Sequence, residues 1–310
     1  MPTTPAQPRI AVLLATFNGM RWLGEQLDSI LDQQGVQVRV IALDDESADG
    51  TQEWLLERAA TEPRLTVLGR QGASGSAAAN FARLLQQAPL QPDELVAFAD
   101  QDDIWLPGKL ARHAGLLASL GADGVSSNVT AFHADGRRQL VRKDYPQREF
   151  DYLLESPGPG STFLMTPRLV GLVREVLATR PEAAGADYHD WLIYALARAA
   201  GMTWHIDSEA TVDYRQHDSN VMGANAGAAQ ARSRLALIRQ RWHREQAALL
   251  ARLGLAVAAP GIKPGLERML PLLERTGLRS RLALAPRAGT LRRRPRDRWI
   301  IGVLVAIGIW

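Results

Sequence analysis

The first 120 residues alternate two hydrophobic patterns that do not interchange, and this alternation restricts the fold more than any other feature of the chain. The stretch RIAVLLAT (Arg9–Thr16) is a continuous apolar run, as expected of a strand covered on both faces. In RWLGEQLDSILDQQ, residues Trp22, Leu23, Leu27, Ile30 and Leu31 recur at helical spacing. The pair of patterns then repeats. VQVRVIALDD (Val36–Asp45), RLTVLG (Arg64–Gly69) and ELVAFAD (Glu94–Asp100) read as strands. DGTQEWLLERAA, with Asp49 as its cap, GSAAANFARLLQQA and LPGKLARHAGLLASL read as helices. Strand and helix in strict alternation predict an α/β fold with a mostly parallel sheet and helices on both faces.

In such sheets ligands bind outside the carboxyl ends of the strands. Here those ends read ATFNG, LDDESADGT, GRQGASG and ADQDD, all polar or glycine-rich. The fourth is the most demanding, because FADQDDIW puts Asp100, Asp102 and Asp103 at the end of an apolar strand. Asp-x-Asp in that place suits a hard divalent ion, Mg²⁺ or Mn²⁺, which takes one or two carboxylates and completes its shell with water and phosphate oxygens. A cation would also relieve the repulsion among the acids. The alternative is that the acids cap the following helix. Asp44 and Asp45 likewise end a strand, and a carboxylate there can accept the imide N–H of a uracil or thymine ring.

Past the fourth helix the pattern loosens. DGVSSNVTAFHADGRRQLVRK reads as strand, turn and return strand, and STFLMT as a strand. PRLVGLVREVLAT reads as a helix opened by Pro167. YHDWLIYALARAAG reads as a helix closed by Gly201, and MTWHI and ATVDYRQH as two late strands. From Gly223 the chain is Ala-rich and helical, broken by prolines.

LLATFNG, LDDESADGT and FADQDDIW, at these separations, resemble the nucleotide-binding half of a family 2 glycosyltransferase with the GT-A fold, a Rossmann-like sheet flanked by helices. The resemblance covers about residues 9–222. It implies that Asp102 holds Mn²⁺ or Mg²⁺ against the diphosphate of a sugar nucleotide, with Asp100 near the metal or the ribose. Thr16, Asn18 and Asp45 would hold the base with Asp44 beside it, and Asn80 and the RQGASG loop would frame the nucleotide. GPGSTFLMT resembles the segment beneath the donor sugar, which points to Gly160, where glycine would let the backbone approach a ligand closely, and to Ser161. In YHDWLIY the position of the family's general base falls on Asp190, and His189 stands where Glu is commoner. Such a base takes the proton of an acceptor hydroxyl as its oxygen attacks the sugar's C1 with inversion. In DYRQHDSNVMG, His217 is a further candidate metal ligand, and Arg215 a candidate partner for phosphate. DQDDIWLP, HDW and YRQH together resemble the bacterial rhamnosyltransferase branch, which implies dTDP-L-rhamnose as donor and surface polysaccharides such as O-antigen as product.

The expected organisation is a catalytic domain over residues 1–222, with a nucleotide half (about 9–105) and an acceptor half (about 106–222). A helical region (223–290) and a basic, apolar tail (291–310) follow. Residues 279–298 hold eight arginines and one acid, a net +7 in a chain whose formal total is only +3. The apolar WIIGVLVAIGIW (Trp299–Trp310) comes next, too short to span a bilayer as a helix. Arginines beside a tryptophan-flanked apolar segment suggest a contact with an anionic membrane surface; the alternative is that the segment packs on the body as a last helix or strand. A lipid-linked or glycan acceptor at the inner face of the cytoplasmic membrane would give that contact a purpose. The absence of cysteine excludes disulfides and thiolate metal sites and suits a cytoplasmic protein. The polar start MPTTPAQPR suggests no secretory signal. Because the catalytic motifs all precede Met222, removal of the tail from Leu291 onward is expected to spare the chemistry.

Other classes fit less well. A dinucleotide oxidoreductase would want Gly-x-Gly-x-x-Gly after the first strand, and ATFNGMRW lacks it. A nucleic-acid-binding role would leave the aspartates unexplained, so no nucleic-acid partner is expected. A sugar-nucleotidyltransferase and a non-enzymatic sugar-nucleotide-binding protein remain as alternatives.

Overall fold

In the computed structural model, residues 7–217 and 241–310 are described. The expected division at Met222 lies outside them.

Parallel pairing builds the first half. Strand β1 (Arg9–Thr16) lies between β2 (Gln37–Asp44) and β4 (Leu95–Ala99), and β3 (Leu65–Val67) adds to β2. The register pairs Thr16 with Asp44 and Leu14 with Ala99, so the polar tips end level along one edge. Side chains alternate across β1. Ile10, Val12 and Leu14 enter a core with α1 (Leu23–Leu31), α2 (Thr51–Ala59) and α4 (Lys109–Leu120). Ala11, Leu13 and Ala15 enter the opposite core with α3 (Ala77–Gln87), α5 (Pro167–Thr179) and α6 (His189–Ala199).

The second half departs from the expected parallel arrangement. The sheet continues from β4 through β8 (Leu164–Met165), β6 (Gly124–His133) and β9 (Trp204–Gln216) to β5 (Ile104–Trp105), with β7 (Arg138–Val141) paired to β6. Only β6 and β9 pair in parallel here; β8, β5 and β7 are antiparallel. Of these, β6 and β7 follow each other with no helix between them, a connection that antiparallel pairing allows. The two late strands expected from MTWHI and ATVDYRQH are one strand of 13 residues. The polar Asp207-Ser208-Glu209 that seemed to divide them lies where the register with β6 shifts, and Arg112 of α4 pairs with Asp207 at 2.5 Å. Asp49 does not cap α2 in the usual way. Gly50 occupies the cap at φ 90°, while Asp49 accepts from the Thr51 and Met20 amides and so ties α2 to the tip of β1.

The C-terminal helices are α7 (Trp242–Val257), α8 (Lys263–Glu274), α9 (Leu278–Leu284), α10 (Ala288–Leu291) and α11 (Pro295–Ala306). They are not an appendage. Leu250, Leu266, Leu291, Ile301, Val305 and Trp310 share one core with α6. The buried Arg244 donates to the carbonyls of Leu272, Leu273, Arg275 and Trp310, satisfying the carboxyl end of α8 and fastening the end of the chain.

The arginine block is also not wholly a surface feature. Arg293 is 1% exposed. Its guanidinium donates to Asp151 at 3.1 Å and to the Ser156 carbonyl at 2.5 Å, and its amide donates to Glu155. Asp151, fully buried, also accepts from Arg198 and Tyr194 of α6. The tail is therefore wired to the acceptor half, which corrects the expectation that it can be removed without consequence. Removing one partner of a buried pair strands the other's charge, a loss of roughly 3 kcal/mol. Arg293→Ala should lower the unfolding free energy by about that much in urea denaturation. Truncation before Leu291 should destabilise the protein further rather than leave a fully active catalytic domain.

Candidate functional site

The site is built from strand ends, and each acid there meets a different environment. Asp44 is buried and fully used within the frame. It accepts from Thr16 Oγ1 at 2.9 Å, from Ser47 Oγ at 2.5 Å and from the Ser47 amide at 2.8 Å. Asn18 takes a left-handed conformation (φ 49°), which asparagine tolerates. Its amide donates to Ser47 Oγ and its Oδ1 accepts from the Ala48 amide, joining the tips of β1 and β2. Asn80 reaches from α3 and donates to the carbonyls of Thr16 and Leu43. Asp45 accepts from the Ser74 amide and hydroxyl, with Arg83 at 3.8 Å. The RQGASG loop thus closes onto the residue expected to read the base.

The three acids of FADQDDIW divide into three roles. Asp103 is buried and structural, accepting from Ser161 Oγ at 2.8 Å and from the Arg215 amide at 3.1 Å. It anchors the tip of β4 to β9 and to the 3₁₀ turn Gly160–Thr162. Ser161, expected beside the donor sugar, is spent on this bond. The buried Lys109 amine stands 3.4 Å from the centroid of the Trp105 ring, and burial holds its pKa well below the ordinary lysine value against the opposing pull of Asp103. Asp102 points elsewhere, to His217 Nε2 at 2.6 Å. The imidazole stacks on Trp22 with centroids 4.3 Å apart, so His217 faces Asp102 in a fixed orientation. Asp100 is pushed up to about 7 by burial, and then by the negative charges of Asp102 and Asp190. That coupling brings the aspartates of β4 and the candidate base into one electrostatic unit.

Asp190 lies in the first turn of α6. It accepts from the Trp191 amide at 2.7 Å and from Ser156 Oγ at 2.9 Å. Burial raises its pKa above the ordinary carboxylate value, while those two bonds and the charge of Lys143 draw it back down. A carboxylate made more basic by its surroundings is suited to taking a proton. His189, its neighbour, is not part of this chemistry. It stacks on Phe81 at 4.0 Å and meets Phe98 edge-on, and burial pushes it down to about 3, so the ring is neutral.

Gly160 was expected to let the backbone approach a ligand. What approaches it is His189, since a Cβ built there would stand 2.3 Å from His189 Nε2. Arg215 donates to the Asp102 carbonyl at 2.7 Å and to Glu25. It braces the metal-side loop in this structure rather than standing open to phosphate.

Asp102 and His217 offer an oxygen and a nitrogen to a divalent ion of the expected kind, which would have to replace the hydrogen bond that now joins them. Among the described residues, no group of three or more His, Cys, Asp or Glu is arranged to hold a metal ion.

Several contributors escaped the sequence reading. Ser156 stands two residues before the quoted GPGSTFLMT and shows no motif. Gln101 makes a two-way bond with the Phe17 backbone, at 2.7 and 2.8 Å, locking the tips of β1 and β4. Trp22 was assigned to the helix's apolar face, yet it positions His217. One signal was available: the acid Asp151 inside the apolar FDYLL demanded a buried partner.

Comparison with known proteins supplies the rest. The profile described as Glycosyl transferase family 2 matches residues 11–179. A protein of Shigella flexneri named dTDP-rhamnosyl transferase RfbG is 35% identical over 240 residues, 77% of this chain and 83% of its own. The glucosyltransferase WfgD of Escherichia coli, named for transfer from UDP-Glc to a GlcNAc-diphosphoundecaprenol, is 25% identical over 51% of this chain and 60% of its own. Among solved structures, residues 1–349 of S. aureus TarS with UDP-GlcNAc superpose with a TM-score of 0.58 at 16% identity, covering 97% of this chain and 81% of that one. The mannosyltransferase PcManGT of Pyrobaculum calidifontis, with GDP-Man and Mn²⁺, gives 0.52 at 19% identity over 98% and 86%. The fold is the expected GT-A arrangement with a C-terminal helical extension.

The close approach of Gly160 to His189 yields a test. Gly160→Ala should cost about 1–3 kcal/mol of stability through overpacking. Adding His189→Ala should recover part of that loss, so that urea denaturation of the two single variants and the pair gives a favourable coupling of roughly 1 kcal/mol. Strict additivity would mean that the two residues do not press on each other.

Proposed function

The chain belongs to glycosyl transferase family 2 and is a glycosyltransferase; from that premise we propose that it transfers L-rhamnose from dTDP-L-rhamnose, with inversion, to a glycan or lipid-linked acceptor in bacterial surface-polysaccharide synthesis. The observation that supports this reading is that Asp100 lies near enough to both Asp102 and Asp190 for their charges, after burial, to raise its pKa. In this reading the candidate base stands close to the candidate metal ligands. The sugar is suggested by the relative named as a dTDP-rhamnosyl transferase.

The proposed reaction runs as one displacement. An acceptor hydroxyl oxygen attacks C1 of the sugar, Asp190 takes the proton, and the bond from C1 to the diphosphate oxygen breaks, releasing dTDP. Ser156 holds the Asp190 carboxylate in place and favours its charged form. Asp45 and the Ser74 loop face the base, and Asp45 can accept the thymine imide N–H once Ser74 gives way. Thymine and uracil share that edge, so base recognition alone admits dTDP- and UDP-sugars. Asp102 with His217, and Asp100 behind them, would hold Mn²⁺ or Mg²⁺. A bound ion of this kind stabilises the negative charge of a departing diphosphate. The setting we propose is the inner face of the cytoplasmic membrane, where a cytoplasmic donor meets a lipid-linked acceptor.

Slow donor hydrolysis, measured with Mn²⁺ across dTDP-, UDP- and GDP-sugars, tests the donor. Turnover should be highest with dTDP-L-rhamnose. A clear preference for a GDP-sugar would overturn both the base pocket and the sugar.

Asp190→Asn should retain donor affinity and lose roughly 10²–10⁴-fold in turnover. The pH dependence has a definite sign. Asp190 must be ionised to act, and its pKa is raised, so kcat should fall toward acid with a limb above the ordinary carboxylate range. The Ser156 bond favours the charged form, so Ser156→Ala should move that limb to higher pH. A limb unmoved by Ser156→Ala would assign the titration to another group.

A further inference from the structure

Helix α11 is apolar on two opposite sides. Ile301 and Val305 face the body and are buried. Trp299, Val303 and Ile307 lie two residues out of phase, about 200° around the helix, and are 79%, 50% and 57% exposed. Ile300 and Ile309 are exposed as well. A helix that is hydrophobic all round is ordinarily buried on every side, yet here none of the described residues covers one side. Helix α9, which packs on α11, adds the exposed Leu278 and Leu282, at 59% and 62%. Lone exposed apolar residues are common, but five on two packed helices and two more just past the second call for a partner.

The surrounding charge narrows what that partner is. Arg279, Arg287, Arg294 and Arg296 are exposed on these helices and the links between them, and Asp297 is the one acid from residue 279 to 298. A soluble partner with an apolar groove would not need so one-sided a charge. An anionic bilayer offers both acidic headgroups and an apolar layer beneath them. No described helix is long and apolar enough to cross a membrane, so the contact lies in the plane of the interface.

We infer that α9 and α11 together form a docking face for an anionic lipid surface. Rigid attachment gives the face its use. Arg293, two residues before α11, is buried against Asp151, Glu155 and Ser156, and Ser156 holds Asp190. A docked α11 therefore fixes the height and tilt of the catalytic base above the membrane. That benefit rests on the proposal of a lipid-linked acceptor; the docking itself does not.

The test sediments the full-length protein with phosphatidylcholine vesicles, with and without phosphatidylglycerol. The protein should bind the phosphatidylglycerol vesicles, and binding should weaken several-fold as salt rises to physiological strength. Trp299→Ser combined with Val303→Ser and Ile307→Ser should lose roughly tenfold or more in partitioning. Arg294→Gln with Arg296→Gln should lose the preference for phosphatidylglycerol. Both variants should keep wild-type donor hydrolysis in solution, which separates a failure of docking from a failure of fold or of the enzymatic reading. Wild-type protein that stays in the supernatant with phosphatidylglycerol vesicles overturns the inference, as does a triple-serine variant that binds them equally well. A concentration-dependent dimer in light scattering, abolished by the serine substitutions in protein that ignores vesicles, would assign the face to a second copy of the chain.

Discussion

Crowded carboxylates at the end of β4 are the constraint around which the rest of this structure is arranged. Asp100, Asp102 and Asp103 fall within four consecutive positions at a strand end, where repulsion and desolvation both oppose ionisation. The fold answers in three ways. Asp103 is pushed well above its ordinary value by burial, then by its two neighbours, and is tied to Ser161 and the Arg215 amide. Asp102 faces an imidazole fixed by stacking on Trp22. Among the described residues Asp100 has no such partner, and burial with the charges of Asp102 and Asp190 raises it to about 7. Much of the acceptor half can be read as support for that arrangement: β9 delivers His217 and Arg215, the Gly160–Thr162 turn delivers Ser161, and α6 delivers Asp190.

A second buried charge ties the chain's end to its chemistry. Asp151, flanked by Arg198 of α6 and Arg293 of the tail, is stable only while both cationic elements are in place. An isolated buried carboxylate is costly, so the C-terminal segment is needed to complete the acceptor half. The same segment then turns a wholly apolar face of α11 outward. Structural role and surface role share one helix, on opposite sides.

Much of the nucleotide half was legible in the sequence, because a parallel sheet writes its strands as continuous apolar runs and its helices at a different period. The level tips followed from that alone. Roles within the site were less legible. Asp100, Asp102 and Asp103 are alike as letters, and only the packing shows that one is an anchor. Gly160 suggested close approach, and close approach is what it has, though to His189 rather than to a ligand. Asn80 and Thr16 were placed at the right edge, but their hydrogen bonds go to the frame. Ser156 and Arg293 act through contacts spanning 34 and 142 residues, a distance at which local pattern carries no information. The apolar tail read as one surface because period and composition cannot tell a helix with one buried side from one with none.

The claim on which the account turns is that the Asp102–His217 pair, with Asp100 behind it, is completed by a divalent cation and a nucleoside diphosphate together. Calorimetric titration of dTDP into the wild-type protein, with and without Mn²⁺, and into Asp102→Asn addresses it most directly. The account predicts that Mn²⁺ tightens dTDP binding to the wild type by a factor of roughly ten or more, that Asp102→Asn loses this gain while staying folded, and that the gain shrinks as pH falls through about 7 and Asp100 takes up its proton. Equal dTDP affinity with and without Mn²⁺ in the wild type, or an undiminished Mn²⁺ effect in Asp102→Asn, would contradict it.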